Sequence, residues 1–540
     1  MYETKRNSAF VKQAAILAAA SLISRFLGFL YRVPMTRMIG DFGNAVYSGG
    51  YNIYNFLLIL SSAGIPAAVG KMVSERVALG QYRNAHRVFR VALFITGSLG
   101  FIGMIALIVG AEWISSSVLK IPETYYTILT LAPTVFIVAI MAVFRGYFQG
   151  MNTMVPTAVS QVVEQIFNAV FSVYLAYLFI NVNIFGETGN VAYGAAGGTA
   201  GTGIGAAAGL AVIFISYNLF KDRIYRKMIL EGDVFEPEDK KYIASVLIHT
   251  AVPIIIGTAI FSITNIADTS MAMSRLMASG AFTAEEAKIL YGQLGGKYVV
   301  LTTLPVSVST AIATAAVPNI AASVATKDIR SVKNKLNLIL KIAMVISIPA
   351  AVGMGVLGDQ ILILLYGSQS SGGILLKVGA LSIIFLALSQ VVTGLLQGIG
   401  RVKVPVFSAA VGAAAKLVLN YFLISIPVIN VLGAVISTTV CYMLASGINL
   451  YMLAKITKVK PNLADSLFKP GFASVLMGVL CYFSYKGMFV ISKSNSISSI
   501  IAILLGMAFY FIVLYRIKGI TKKDLGYIPG GQKIISLFKL

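Results

Sequence analysis

The stretch Ser21-Leu-Ile-Ser24-Arg25-Phe-Leu-Gly28-Phe-Leu-Tyr-Arg32 places two arginines in an apolar run long enough to cross a membrane. Spacings of four, three and four residues put Ser21, Arg25, Gly28 and Arg32 on one face of a helix. An arginine at the centre of a spanning helix costs roughly 2.5–3.5 kcal/mol, so both should face protein or water. The pattern predicts an anion-binding cavity wall. The alternatives are that both arginines reach the membrane surface or pair with buried carboxylates.

The whole chain is too apolar for a soluble globular protein. Its 540 residues are 57% hydrophobic and only 12% charged, with a mean hydropathy of +0.84. A formal net charge of +23 would suggest nucleic acid in a soluble chain. Here the placement of the charges matters more than their sum, so we expect no nucleic-acid partner.

Apolar runs of about 20 residues predict an all-α polytopic membrane protein with about fourteen spans. They lie near residues 12–36, 47–70, 91–111, 125–144, 156–180, 191–217, 243–270, 292–324, 337–358, 373–399, 405–426, 431–454, 467–490 and 497–515. Most of the 43 Lys and Arg residues fall in alternate connecting segments. The positive-inside rule then predicts that both termini are cytoplasmic.

Weak internal repeats divide the spans into two halves. Three local motifs recur in the same order roughly 240 to 250 residues later: those around Pro66 and Pro318, Gln149 and Gln397, and Gly194 and Gly433. Each half has six spans, so the two lobes should be parallel repeats, as in rocking transporters. We expect an N-lobe at 1–220, a cytoplasmic linker at 221–241, a C-lobe at 242–460, and two last helices with a cytoplasmic tail at 461–540.

Polar residues in the second predicted lobe suggest a matching part of the site. Asn265 and Asp268 come late in the seventh span, and Lys297 comes early in the eighth. Lys297 is the natural third cation for Arg25 and Arg32, unless it extends to the outer surface. Asp268 either coordinates a coupling ion or pairs with Lys297.

A second polar set occupies equivalent places in the two halves. Glu164 and Asn168 in the fifth span correspond to Lys416 and Asn420 in the eleventh, each pair being spaced for one helix face. These residues form a bridge between lobes, separate ion-coupling sites or structural ion pairs, of which the sequence favours the last.

The sixth span carries a glycine at every fourth position: Gly197, Gly201, Gly205 and Gly209. Such a ridge of small residues predicts that another helix approaches closely. The chain has no Walker A sequence and no His-Glu-x-x-His motif, and His86 and His249 are far apart in sequence. We therefore expect that the protein is not an enzyme and that it has no metal site and no cofactor. The sequence does not indicate which coupling ion it would use.

Three motifs carry a family resemblance: Ile23-Ser-Arg25-Phe-Leu-Gly28-Phe, Gly50-Tyr-Asn-Ile-Tyr-Asn55 and Gly64-Ile-Pro-Ala-Ala-Val-Gly-Lys71. With them the chain resembles, from about residue 10 to 520, the polysaccharide-transport branch of the multidrug/oligosaccharidyl-lipid/polysaccharide exporter superfamily. It looks most like the stage V sporulation protein B group and the Gram-positive MurJ-type lipid II flippases.

The resemblance implies how the first-span cations are used. In MurJ-type proteins a first-span arginine lines the cavity, and it maps onto Arg25. The family's next arginine falls on Tyr31 here, one residue before Arg32, and its eighth-span basic residue maps onto Lys297. The family's second-span arginine has only apolar residues opposite it, within 58–60.

The implied function is a flippase in the cell membrane that moves an undecaprenyl-pyrophosphate-linked sugar from the inner to the outer leaflet. The expected cargo is the peptidoglycan precursor lipid II, and the expected partners are the bilayer and the cell-wall synthesis machinery. A flippase for a capsular, teichoic or spore-associated glycan would share these features. A drug/cation antiporter of this fold would instead need carboxylates in its cavity.

Overall fold

The computed structural model describes residues 16–17, 19–62, 64–182, 190–231, 235–311, 329–459, 462 and 464–521. Every regular element in these ranges is a helix. The basic residues before residue 16, the repeat motif at Pro318 and the basic tail after residue 521 lie outside them.

Sixteen α-helices follow one another along the described ranges. They are α1 (Ala19–Leu30), α2 (Arg32–Ser62), α3 (Ile65–Ala78), α4 (Tyr82–Trp113), α5 (Thr124–Gly150), α6 (Val155–Asn181), α7 (Val191–Glu231), α8 (Lys240–Ala278), α9 (Ala284–Gln293), α10 (residues 299–311), α11 (Ile329–Tyr366), α12 (Gly373–Gly398), α13 (Lys403–Leu423), α14 (Leu432–Thr457), α15 (Lys469–Ser492) and α16 (Asn495–Arg516). Short π-helical segments adjoin α4, α10 and α15 at Ile114–Val118, Leu294–Tyr298 and Ala464–Phe468.

Twelve helical segments of the described chain are long and apolar enough to cross a membrane. The two other predicted spans coincide with α1 and α10, whose described parts are shorter. In lipid a helix satisfies its backbone hydrogen bonds within one segment, which is why hydropathy alone finds the spans. The prediction of an all-α polytopic membrane protein with about fourteen spans is confirmed.

A kink at Gly40 divides α2. Gly40 has φ 65° and ψ −168°, a conformation that side-chain-bearing residues rarely adopt. Residues 32–39 therefore continue the first predicted span, and the part after Gly40 forms the second. The kink brings Arg32 back against tyrosines that follow it in α2.

The glycine ridge of α7 packs directly on the backbone of α6. A Cβ at Gly205 would lie 2.6 Å from the Glu164 carbonyl oxygen, and Cβ atoms at Gly197 and Gly201 would collide with the backbone of Leu175 and Ser172. Only glycine allows this approach. The predicted close helix contact is confirmed.

The chain divides into two compact units. The first comprises Met1–Gly296 with Leu417–Ala434, and the second comprises Lys297–Lys416 with Val435–Leu540. In the first, α3, α4, α5, α7 and α8 share an apolar core rich in aromatic rings. In the second, α11 and α12 form the main core. The predicted lobe boundaries concern an internal repeat, which compactness does not test, so they stay a prediction.

Candidate functional site

Helix α1 has an apolar face and a polar face, as predicted. Its exposed large side chains lie on one side: Ile23, Phe26 and Leu30. On another side, the hydroxyl of Ser21 donates to Gln161 Oε1 at 3.2 Å, and that of Ser24 donates to the Gln161 carbonyl oxygen at 3.2 Å. Gly28 lies against Gln165, which belongs to α6 as Gln161 does. The polar face of α1 therefore packs on α6.

Arg25 projects away from the apolar face of α1. At 3.6 residues per turn it lies about 160° around the axis from Ile23. Its side chain is exposed, and no side chain in the described ranges hydrogen-bonds or pairs with it. A charge on this side of a spanning helix faces water or protein rather than lipid.

Arg32 lies inside a cage of tyrosines. Its guanidinium carbon is 4.0 Å from the centre of the Tyr47 ring, 5.7 Å from that of Tyr51 and 6.0 Å from that of Tyr31. The rings of Tyr47 and Tyr51 stack at 5.6 Å with 14° between their planes. The hydroxyls of Tyr31 and Tyr47 form a hydrogen bond of 3.3 Å. Stacking on ring faces stabilises a guanidinium by about 2 kcal/mol when water is excluded.

The Arg32 charge has no acidic partner among the described residues. Its Nη1 atom is buried and makes no hydrogen bond within the described chain. Leaving a buried donor unsatisfied costs about 1–3 kcal/mol, and more for a charged group. Arg25 of α1 and Arg32 at the start of α2 are thus two cations that no described carboxylate neutralises, and their sharing of one face stays a prediction.

Glu164, by contrast, is neutralised locally. Arg145 of α5 places its Nη2 atom 2.6 Å from the Glu164 carboxylate and donates from Nε to the Ser160 hydroxyl at 3.1 Å. Arg145 is the first residue after the apolar run at 125–144. The helix continues to Gly150 and carries Arg145 into the packed region.

Asn168 belongs to a second polar cluster in α6. Its side-chain oxygen accepts hydrogen bonds from the hydroxyls of Ser172 at 2.8 Å and Thr202 at 3.2 Å. Asn168 is buried, and this pairing ties α6 to the glycine-rich helix α7.

A third polar cluster joins helices of the first unit around α8. The Asp268 carboxylate accepts from the Asn420 amide at 2.6 Å. The Asn52 amide donates to Thr269 at 3.3 Å and to the Tyr291 hydroxyl at 3.1 Å. Asn265 is half-buried, and its carbonyl oxygen accepts from the Thr269 hydroxyl at 3.0 Å.

The two intramembrane lysines belong to the second unit. Lys297 is buried, and its ammonium donates to the carbonyl oxygen of Ser371 at 3.0 Å and to its hydroxyl at 3.1 Å. Lys416 is also buried. Since Arg25 and Arg32 lie in the first unit, the shared cavity of three cations stays a prediction, as does the pairing of Asp268 with Lys297.

Sequence analysis missed the tyrosine cage. Tyr47, Tyr51 and Tyr54 are spaced by four and three residues, which places them on one helix face. In an apolar span, however, such a stripe usually indicates core packing. Its relation to Arg32 depends on the kink at Gly40.

Spans of this number define a multi-pass membrane protein. The chain belongs to the family described as polysaccharide biosynthesis protein, whose model matches residues 10–324. The MatE family model matches residues 298–422. The predicted membership of the multidrug/oligosaccharidyl-lipid/polysaccharide exporter superfamily is confirmed, and the chain is a transporter rather than an enzyme.

Two curated relatives from Bacillus subtilis (strain 168) align along nearly the whole chain. The lipid II flippase MurJ is 28% identical over 97% of this chain and 98% of its own. Stage V sporulation protein B is 26% identical over 96% of this chain and 98% of its own.

Solved structures share the fold. An inward-facing multidrug-resistance MATE transporter has a TM-score of 0.65 at 15% identity, covering 82% of this chain and 99% of that one. The lipid II flippase MurJ in an inward closed conformation has a TM-score of 0.63 at 14% identity, covering 92% and 98%.

Proposed function

We propose that this protein is a flippase for a lipid-linked oligosaccharide and that its cargo is lipid II, the undecaprenyl-pyrophosphate-linked peptidoglycan precursor. The single observation that carries the proposal is the unpaired cationic face of Arg25 and Arg32. Two cations inside a spanning region are costly, and an anionic ligand that visits them explains why they are tolerated.

The chemistry of a pyrophosphate fits this face. Its oxygens accept charge-assisted hydrogen bonds, which arginine can donate in pairs from its planar fork. Charges interact more strongly in a cavity of low dielectric than in water. The headgroup would bind at Arg25 and Arg32 while the polyprenyl tail stays in the bilayer, and alternating access would carry the headgroup from the inner to the outer leaflet.

The sign of the charge argues against a drug/cation antiporter. Of the described acidic side chains, Glu164 interacts electrostatically with Tyr51 of the cage and with the neighbouring Tyr54. Its charge is already neutralised by Arg145. What Arg25 and the tyrosine cage offer a ligand is therefore positive.

A flippase for a capsular, teichoic or spore-associated glycan is the second candidate. Such cargo carries the same pyrophosphate, so the cations would bind it equally. Similarity to both MurJ and stage V sporulation protein B supports either cargo.

The same proposal covers location and partners. The protein would lie in the cell membrane with both termini in the cytoplasm and would work beside the cell-wall synthesis machinery. It would need no cofactor. Asp268 would supply the carboxylate for any coupling ion, since such oxygens suit a hard cation, and Asn420, whose amide donates to that carboxylate, would orient it.

Complementation tests the cargo. The wild-type gene is expressed in a strain whose own lipid II flippase can be depleted, beside Arg25→Ala and Lys297→Ala. We expect rescue by the wild type and none by either variant at equal protein level. If the wild type accumulates in the membrane and does not rescue growth, lipid II is excluded in favour of another glycan.

A further inference from the structure

The tyrosine cage holds the Arg32 guanidinium by a ring face and by a hydroxyl. The centre of the Tyr47 ring is 4.0 Å from the guanidinium carbon, and Tyr51 stacks in turn on Tyr47. The Tyr31 hydroxyl lies 3.3 Å from that of Tyr47 and hydrogen-bonds with the Arg32 side chain. The aromatic contact from Tyr47 is made by its ring face.

The edge of the same guanidinium carries a donor without an acceptor. Nη1 is buried with no hydrogen-bond partner in the described part of the chain, and no described carboxylate pairs with Arg32. A buried charged donor normally has a partner. An acceptor for this donor would approach in the guanidinium plane.

We propose that Tyr47 and Tyr51 are positioning residues that hold Arg32 so that its N–H edge meets the oxygens of a pyrophosphate. This inference rests on the proposed function and adds what selects the headgroup. With a ring on one face, the N–H fork stays available to hydrogen-bond the oxygens of a ligand. That fork can bridge two phosphate oxygens, and the larger negative charge of a diphosphate favours it over a monophosphate.

The cage also explains why the residue is an arginine. A lysine ammonium is a compact point charge that presents no planar fork and stacks less well on an aromatic face. Arg32→Lys keeps the charge and loses the geometry. The exchange of Tyr47 for Phe keeps the face and loses only the hydroxyl, whereas exchange for Leu removes the face.

Binding of two defined lipids to the purified protein in detergent tests the proposal. The probes are undecaprenyl pyrophosphate and undecaprenyl monophosphate, titrated by calorimetry into wild type, Tyr47→Phe, Tyr47→Leu and Arg32→Lys. We expect Tyr47→Phe to bind the pyrophosphate within about threefold of wild type. Tyr47→Leu and Arg32→Lys should bind it at least about tenfold more weakly.

Tyr54→Leu is the matched control. Tyr54 is buried in the same aromatic row, 5.4 Å from Tyr51, but does not lie over the guanidinium. It should lower the melting midpoint about as much as Tyr47→Leu and leave binding unchanged. Equal binding losses in the two leucine variants would overturn the positioning role.

The binding results distinguish failure of the positioning role of the tyrosines from failure of the proposed flippase function. If wild type binds neither probe, the proposed function fails. If wild type binds the pyrophosphate and Tyr47→Leu binds it equally well, only the cage fails.

A groove on the second unit carries an independent inference. It has a volume of about 520 Å³ between α13 and α14 and is lined by apolar side chains that include Phe407 and Tyr451, with Lys403 at one end. A Cβ at Gly447 would meet nothing within 4 Å, so the groove is open there. Lys455, one turn beyond Tyr451, is exposed near the same end of α14.

We infer that this groove binds one anionic phospholipid of the inner leaflet. Lys403 and Lys455 lie at the helix ends that the positive-inside rule predicts to be cytoplasmic. Basic residues at such an end of an apolar groove suit a phosphate headgroup, while the groove takes an acyl chain. The occupant is a phospholipid of the bilayer and not the pyrophosphate-linked cargo.

Native mass spectrometry tests this second inference with phosphatidylglycerol and phosphatidylcholine as probes. We expect one phosphatidylglycerol to stay bound, with at least about fivefold less retained by Lys403→Gln/Lys455→Gln and by Gly447→Leu. Lys486→Gln is the control and should behave as wild type. The inference would be overturned if both phospholipids were retained equally. It would also be overturned if undecaprenyl phosphate displaced the bound phosphatidylglycerol.

Discussion

The Arg145 guanidinium and the Glu164 carboxylate lie 2.6 Å apart, and each side chain is less than one-fifth exposed. This ion pair between α5 and α6 is structural, in contrast to the unpaired arginines of α1 and α2. Removing one partner leaves the other charge buried and alone.

We therefore predict that Glu164→Gln lowers the free energy of unfolding by about 3 kcal/mol. Thermal unfolding in detergent measures the loss. The double variant Arg145→Met/Glu164→Gln should recover more than half of it, because no lone charge remains. If the double variant loses as much stability as Glu164→Gln and Arg145→Met lose together, the pair is not the source of the stability.

Arg25→Ala should have the opposite profile. Because no described residue pairs with Arg25, its removal should leave the melting midpoint within about one degree and abolish transport. Growth of the flippase-depleted strain and a melting curve of the same variant give the two readouts. Arg516→Ala, at the exposed end of α16, is the matched control and should be silent in both. Transport by Arg25→Ala at wild-type protein level would contradict the site.

Gly201→Val should prevent stable folding. Even a Cβ at this position collides with the backbone of Ser172, and neither helix can yield without separating from the other. The yield of monodisperse protein after detergent extraction measures this. Gly97→Val in α4 is the control, since a Cβ there meets nothing within 4 Å. Equal yields from both variants would refute the close packing of α6 on α7.

Asp268→Asn should uncouple transport from an ion gradient if the Asp268–Asn420 pair holds the coupling ion. The variant keeps the size and the hydrogen-bonding partner of the side chain but loses the charge that a cation needs. Transport into vesicles under imposed sodium, proton or no gradient measures the effect. If the variant responds to the gradients as the wild type does, the Asp268–Asn420 pair stabilises the structure and does not bind a coupling ion.

Much of the fold could be predicted from the sequence, because lipid imposes rules that act within one segment. Hydropathy located the spans, and the recurrence of glycine at every fourth residue from Gly197 to Gly209 predicted that another helix packs closely on α7. The spacing of Arg25 and Arg32 predicts that they share one helix face, and this stays a prediction. These features need no knowledge of which helices meet.

The rest depended on tertiary contacts. Tyr47 meets Arg32 only because Gly40 takes a positive φ, which the sequence does not reveal in the middle of a run. Arg145 pairs with Glu164 because α5 continues past the end of its apolar run. A charge at a span end looks the same in sequence whether it ends in water or in a buried pair.

The central claim is that the Arg25 and Arg32 face carries a pyrophosphate-linked glycan across the bilayer. Reconstituted vesicles test it most directly, with lipid II in the membrane and an external enzyme that modifies only lipid II in the outer leaflet. The account predicts that wild-type protein exposes the inner-leaflet pool and that Arg25→Ala/Arg32→Ala exposes none above protein-free vesicles. Equal exposure by wild type and the double variant would contradict it.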